Sequence, residues 1–180
     1  IYLFTEEYDM SEIDCRMLYR QAFCDPDTKF EDKLFKNCFS YCKTHEENGH
    51  TVSMLFALPC EICGEKGKKS AVYIYAAATH SDYRGKGIMT GLIESVKSSA
   101  DTVFLVPEKA ELIPFYKKLG FCEFNIAGYR KNDKYVNLTG GFIPLSYGER
   151  EDGGYERRAM YYSRVKQNLD GMYFPYSMLV

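Results

Sequence analysis

The chain has 180 residues, 46% of them hydrophobic and 16% aromatic, enough for one domain with a sizeable core and too apolar for a disordered segment. With 23 basic and 25 acidic residues the net charge is -2, which leaves no broad positive field for nucleic acid. No apolar run reaches the roughly 18 to 20 residues that span a bilayer, and the opening IYLFTEEYDM lacks the pattern of a signal peptide. A cytoplasmic location, with neither nucleic acid nor membrane as partner, is the default expectation. The seven cysteines are odd in number and scattered, which fits reduced buried thiols better than a disulfide framework. Cys60-x-x-Cys63 is the one metal-like spacing. Cys38, Cys42, His45 and His50 could complete a zinc site, but a second regularly spaced ligand pair is missing, so no metal is expected.

In chain order, a short apolar strand is expected at Ile1 to Thr5. From Ser11 the run SEIDCRMLYRQAF sets Ile13, Met17, Leu18 and Ala22 on one helical stripe, with Ser11 as N-cap and Asp14 in a capping-box position. Pro26 biases Asp25 away from helix and ends the run. Phe30 to Lys36 reads as a shorter helix. From Asn37 the alternation of Phe39, Tyr41 and Lys43 reads as a strand through CFSYCKTH, with a continued helix as the alternative. On a helix Cys38, Cys42 and His45 share a face; on a strand His45 points away from both cysteines. Glu46-Glu47-Asn48-Gly49 is a hairpin turn, because Asn-Gly accepts positive φ angles. Thr51 to Ile62 is a long buried strand with Pro59 near its end, and Gly64 to Lys69 is a solvated turn.

The stretch Ser70 to Gly91, SAVYIYAAATHSDYRGKGIMTG, is the most informative. Val72 to Thr79 is a strand, and Ile88, Met89, Leu92, Ile93 and Val96 recur at helical spacing, so the period changes across Arg84 to Gly87. A strand thus delivers a helix N-terminus, with its unpaired N–H groups, about half a positive charge from the peptide dipoles, and two cations beside it. Gly85 and Gly87 let an anion approach the backbone. The physical reading is a phosphate cradle, although a glycine turn before a helix is often only a tight connection. Gly85-x-Gly87-x-x-x-Gly91 also resembles a loose dinucleotide fingerprint, with Glu108 about twenty residues on in the place of a ribose acid.

Downstream, Asp101-Thr102 opens a buried strand, VFLV, that stops at Pro107. The β-helix-β crossover requires the strands at Val72 and Val103 to be parallel if they pair directly. Pro114 either kinks a helix or sits at its start near Ile113, and either way Tyr116 falls near the helix beginning. Phe121 to Tyr129 reads as a strand, Lys131 to Gly141 as a polar loop, Phe142 to Tyr147 as a last strand and Gly148 to Gly154 as a charged linker. Residues 1–147 then form the domain and 148–180 a C-terminal extension. Within it Tyr155 to Leu169 reads as a helix with Met160, Tyr161 and Val165 on one side. The aromatic and apolar end, Gly171 to Val180, is expected to pack on the domain or on a second copy in a homodimer, unless the natural chain continues.

The run ATHSDYRGKGIMTGLI resembles the coenzyme-binding motif of the GNAT superfamily of acetyl-CoA-dependent N-acyltransferases: Arg or Gln, two residues, Gly, one residue, Gly or Ala. Arg84, Gly85, Lys86, Gly87 and Ile88 match, while Met89 departs from the final small residue, as in some bacterial members. Phe115-Tyr116-Lys117-Lys118-Leu119-Gly120-Phe121 resembles the superfamily's second signature, an aromatic-Tyr-x-x-x-Gly-Phe run. The resemblance covers about Ile1 to Arg130. It implies an α+β fold, a mixed and mostly antiparallel sheet of six or seven strands with a splayed parallel pair, flanked by about four helices.

The resemblance also implies acetyl-CoA as cosubstrate, held by Ala77, Ala78 and Thr79 at the strand end and by Arg84, Gly85, Lys86, Gly87, Ile88, Met89 and Thr90 in the turn and helix start. Tyr116 becomes the general acid, its phenol, with a pKa of about 10, facing a departing thiolate whose thiol is near 8.5. The reaction implied is direct attack of an amine, from a small molecule or a peptide, without an acyl-enzyme. Backbone groups at Ala77 to Thr79 can act only where the ladder is open, by a bulge or splay. The base is not identified; Glu108, Glu111 and His80 stand near the right stretches. An Asn common before the Tyr in this superfamily has no counterpart, Lys109 standing about there. Two alternatives remain: a non-catalytic acyl-coenzyme A sensor on the same fold, and a dinucleotide-dependent oxidoreductase, which would require a parallel Rossmann sheet.

Overall fold

The computed structural model describes residues 10–64, 67–124, 128–131, 159–167 and 173–176. The strands expected at Ile1 to Thr5 and Phe142 to Tyr147, the loop beyond Lys131 and the linker Gly148 to Gly154 lie outside them.

Helix α1 (Met10–Phe23) buries Cys15, Leu18 and Tyr19, leaving Ile13 and Met17 38% and 53% exposed. The buried stripe is therefore turned from the expected one. A tyrosine ring carries more apolar area than Ile13, and Tyr19 packs edge-on to Phe35 at 6.0 Å and against Phe23 at 5.1 Å. Ser11 lies inside the helix rather than capping it. Asp14 is used in tertiary structure instead, accepting the Thr51 N–H at 2.9 Å and so fastening α1 to the central hairpin. Asp27 caps α2 (Thr28–Cys38), its carboxylate accepting the Phe30 N–H at 3.0 Å.

The helix runs on to Cys38 and a 3-10 turn takes Phe39–Tyr41, so strand β1 begins only at Cys42 and runs to Glu47. Cys38 and Cys42 thus sit on different elements. Among the described residues no three His, Cys, Asp or Glu side chains are placed to hold a metal ion. Asn48 (φ 55°) and Gly49 (φ 79°) reverse the chain into β2 (His50–Gly64), the left-handed pair that a two-residue hairpin requires. Pro59 falls where β2 has no second described strand along its outer edge, between Phe56, the last partner of β1, and Cys63, which meets β8. The expected solvated turn is shorter than predicted: Gly64 pairs with Gly67, and Lys68 and Lys69 already belong to β3 (Gly67–Thr79).

Helix α3 (Ile88–Ser99) carries the chain over to β4 (Thr102–Leu105), which pairs with β3 in parallel through Val72 with Val103 and Tyr73 with Phe104. Pro114 lies in the first turn of α4 (Ile113–Lys118), where its missing N–H is harmless. The predicted strand Phe121 to Tyr129 is two strands, β5 (Cys122–Phe124) and β6 (Gly128–Lys131), at opposite ends of the sheet. The helix predicted at Tyr155 to Leu169 is instead strand β7 (Ala159–Ser163), lying antiparallel between β4 and β5, and β8 (Tyr173–Tyr176) closes the list of described strands. Met160 is fully buried in the core with Leu55, Ile93 and Val103, and the adjoining tyrosines favour extended chain.

The described sheet has the order β5-β7-β4-β3-β2-β8-β6, with β1 also on β2. It is mixed, mostly antiparallel and flanked by four helices, the expected architecture; β6 and β8 pair in parallel and bring the described strands to eight. One face packs under α1 and α2 around Leu34, Phe35, Phe56 and Tyr73, and the other under α3 and α4 around Leu55, Ile93, Val103 and Tyr116. No helix among the described residues is long and apolar enough to cross a membrane.

Candidate active site

The site is built on two breaks in the sheet. The first is between β3 and β4. Their pairing ends at Tyr73 and Phe104, yet β3 runs six residues further, to Thr79. That stretch, about 20 Å at the usual rise per residue, has no described strand on its β4 side. The second break is a bulge. Met54 pairs with Ala78 and Phe56 with Tyr75, so Ala76 and Ala77 together face Leu55. Ala76 takes a φ of 51°, a left-handed conformation that a residue with a Cβ rarely adopts. Tyr75 and Ala76 consequently pack toward the same face, the α1 and α2 side, while Ala77 turns to the α3 and α4 side. The bulge leaves a residue outside the ladder, so the strand presents free backbone groups at the place where the sheet opens.

After β3 the chain turns through His80 and a 3-10 turn at Ser81–Tyr83 into the glycine turn. Arg84 Nε donates to the Thr79 carbonyl at 3.0 Å and ties this turn to the strand end. Gly85 and Gly87 have φ angles of 76° and 79°, and a Cβ on either would meet no protein atom within 4 Å. Backbone conformation, not crowding by the chain itself, demands glycine, and the space beyond is open. Gly87 caps α3 without a side-chain hydrogen bond. Gly91 N–H, donating to the Gly87 carbonyl at 3.0 Å, is the first bond of the helix, so the N–H groups of Ile88, Met89 and Thr90 remain for an acceptor from outside.

A cavity of about 520 Å³ joins these parts. It is lined by Ala77, Thr79, Arg84, Gly85, Gly87, Ile88, Met89 and Thr90 and, from the opposite side, by Leu112, Phe115 and Tyr116. Nine of the residues expected at the site therefore share one cavity. Ala78 and Lys86 do not line it. Ala78 faces the α1 side and its carbonyl accepts from Ser53 Oγ at 3.2 Å, and the Lys86 ammonium lies 4.5 Å from the centre of the Tyr83 ring. A second cavity of about 370 Å³ lies between α1 and the segment joining β4 to α4, and shares Ala77, Leu112 and Tyr116 with the first. No sequence motif announced it.

Tyr116 stands where the two cavities meet. Phe115 and Phe121 hold its ring edge-on at 5.1 and 6.0 Å, and the residue is 8% exposed. Among the described residues no group hydrogen-bonds its hydroxyl. Burial, and secondarily the charge of Glu108, push its pKa up to about 12. The three carboxylate and imidazole candidates are separated: Glu108 borders the second cavity, Glu111 is exposed in the turn Ala110–Leu112, and the His80 ring accepts from the Asp82 N–H at 3.4 Å.

A cradle of free N–H groups and open glycines, an unpaired strand edge running from it, and a buried phenol at the far end together suit an elongated ligand with anionic groups at one end and a polar reacting group at the other. The family model described as an acetyltransferase (GNAT) domain matches residues 8–124, and the chain belongs to that family. The mixed sheet rules out the parallel Rossmann arrangement on which the dinucleotide alternative depended.

Among solved structures the chain is similar to an aminoglycoside 6'-N-acetyltransferase complexed with coenzyme A, at 11% identity and a TM-score of 0.59 over 92% of this chain and 97% of that one. It is also similar to Arabidopsis thaliana Naa50, solved with a bisubstrate analogue, at 20% identity and a TM-score of 0.55 over 87% and 94% of the two chains. A GCN5-related N-acetyltransferase from Kribbella flavida matches at 13% identity and a TM-score of 0.55 over 66% of this chain, which spans only 33% of that one. At such identities these likenesses concern the fold. No curated protein sequence matches the chain.

Proposed function

We propose that the protein is an acetyl-CoA-dependent N-acetyltransferase acting on an amine of a small molecule or peptide. The observation that carries this reading is the buried phenol of Tyr116, without a hydrogen-bond partner among the described residues, at the junction of two cavities, one of which ends in the glycine cradle. Acetyl-CoA would supply the acetyl group as a thioester. The N–H groups of Ile88, Met89 and Thr90, with Arg84, would hold its pyrophosphate. The free edge of β3 from Ile74 to Thr79 would hydrogen-bond its amide-bearing arm, and a backbone N–H at the bulge would polarise the acetyl carbonyl.

The tyrosine's role follows from its protonation. A phenol held near pKa 12 does not ionise in favour of a thiolate whose thiol is near 8.5, since the transfer is uphill by about 3.5 units, or roughly 5 kcal/mol. Tyr116 therefore serves as a hydrogen-bond donor that stabilises charge on the leaving sulfur, which receives its proton as the nitrogen, made cationic by its attack as a neutral amine, releases one. The test is calorimetric titration of the full chain with acetyl-CoA, coenzyme A and NAD, with Arg84→Ala as control, followed by a thiol-release assay over a panel of amines. Acetyl-CoA binding that weakens in the variant, with amine-dependent thiol release, supports the reading; binding of NAD alone overturns it. Binding without thiol release for any amine would assign the protein to the sensor class.

A further inference from the structure

The second cavity carries information about the acceptor. Its floor is β3 at Tyr73 to Ala77, and its walls come from the end of α1 with the following loop and from the segment between β4 and α4. On the loop, the half-buried Asp25 carboxylate is held in place: Oδ2 accepts from the Tyr19 hydroxyl at 3.2 Å and Oδ1 from the Asp27 N–H at 2.9 Å. A carboxylate has about four acceptor positions, so two remain for a donor in the cavity. Glu108 comes from the opposite wall, close enough to Tyr116 for its charge to favour the neutral phenol. Asp25 and Glu108 are the two carboxylates on the lining, and no Lys, Arg or His of the described residues borders the cavity. The surface between them is aromatic and aliphatic, supplied by Phe23, Tyr75, Leu105, Val106 and Leu112.

Such a space attracts an ammonium through two carboxylates and the faces of aromatic rings. It repels phosphate and carboxylate, which would meet like charge without a compensating cation. Its mostly apolar walls reward a hydrocarbon body. At about 370 Å³ it is of small-molecule size. Because it shares Ala77 and Tyr116 with the first cavity, an amine seated in it faces the open edge of β3.

We propose that the acceptor is a small cationic amine carried on an aromatic or apolar body, bound between α1 and the β4–α4 segment with Asp25 and Glu108 as its charge partners. This rests on the N-acetyltransferase reading. The ammonium first gives one proton to solvent past Glu108; the neutral nitrogen then bonds to the acetyl carbon as the carbon–sulfur bond breaks, and its second proton passes to the sulfur, which leaves as the thiol.

The test uses the full chain with acetyl-CoA and three amines: 2-phenylethylamine, glucosamine 6-phosphate and glutamate. Calorimetry with acetyl-CoA comes first. The expected result is a kcat/KM for 2-phenylethylamine at least about tenfold above those of the two anionic amines, with KM raised about tenfold in Asp25→Asn and in Glu108→Gln and the acetyl-CoA Kd unchanged. A second readout needs no variant. Cys24 is exposed and lies on this cavity, whereas Cys122 is exposed elsewhere, so 2-phenylethylamine in the presence of coenzyme A should slow alkylation of Cys24 alone. Preference for either anionic amine, an unchanged KM in both folded variants, or unprotected Cys24 would overturn the acceptor assignment alone. Failure to bind acetyl-CoA would overturn the N-acetyltransferase reading, and the assignment with it.

Discussion

Replacing Tyr116 with phenylalanine separates chemistry from architecture. The ring sits between Phe115 and Phe121 and is 8% exposed, and its hydroxyl has no hydrogen-bond partner among the described residues. Removing a hydroxyl that no described group bonds relieves at most about 1 kcal/mol of desolvation penalty, and in a chain of 180 residues that corresponds to a Tm higher by at most about 2–4 °C. The variant should therefore be as stable as the parent or slightly more so. The proposed coenzyme cradle lies on α3 and β3, so the Kd for acetyl-CoA should not change. What disappears is one hydrogen bond to a sulfur that becomes charged, a loss of about 1.5–3 kcal/mol in the transition state, or roughly a 10- to 100-fold fall in kcat. Release of free thiol, followed with a chromogenic disulfide at saturating amine, reads that fall directly, and thermal unfolding and calorimetry supply the two controls. An unchanged kcat with intact binding would show that Tyr116 is only a core aromatic. A Tm lowered by several degrees would show instead that its hydroxyl holds the fold together.

Gly87→Ala places a Cβ at a φ of 79° with no protein atom within 4 Å of it; it should lower stability by about 1–2 kcal/mol, seen in urea midpoints, and weaken acetyl-CoA binding through the added methyl. Arg84→Ala removes the donor to the Thr79 carbonyl as well as a charge facing the cradle, and calorimetry should find acetyl-CoA binding weakened about 10- to 100-fold. Glu31, 2% exposed, accepts from Arg16 and Arg20 at 3.2 and 2.8 Å. Glu31→Ala leaves Arg16 paired with Glu12 and Asp32 but removes the buried acceptor it shares with Arg20, and should destabilise the fold by about 2 kcal/mol in urea unfolding. The Tyr116 phenol ionises near pH 10 in the unfolded chain and at about 12 in the folded one, so its contribution to stability is complete below pH 10 and lost as pH rises through 12. Alkaline unfolding of Tyr116→Phe should show a shallower loss of stability over that window, by up to about 2–3 kcal/mol, and the parent kcat should show no alkaline limb from this group below pH 11.

The sequence determined the local events of this protein. Helical spacing after Gly87, the Asn48-Gly49 reversal and Pro114 at a helix start each depend on neighbours a few residues away, and all three stand where short-range rules place them. The cradle was legible for the same reason, since glycines, flanking cations and a helix N-terminus are contiguous in the chain. The tertiary structure decided whatever depends on partners distant in sequence. Cys15, Leu18 and Tyr19 became the buried stripe of α1 because of what α2 and the sheet offered it, and Ala159 to Ser163 became a strand because β4 and β5 left a slot to fill. The bulge at Ala76 exists only as a mismatch between β2 and β3, so the register of two strands, not the run Ala76-Ala77-Ala78 itself, opens the ladder there. The proposed acceptor cavity is the extreme case. Its carboxylates, Asp25 and Glu108, stand 83 positions apart by the numbering (108 minus 25), and no periodicity or motif links them, because a cavity is a property of surfaces that meet only after the chain has closed the sheet between them.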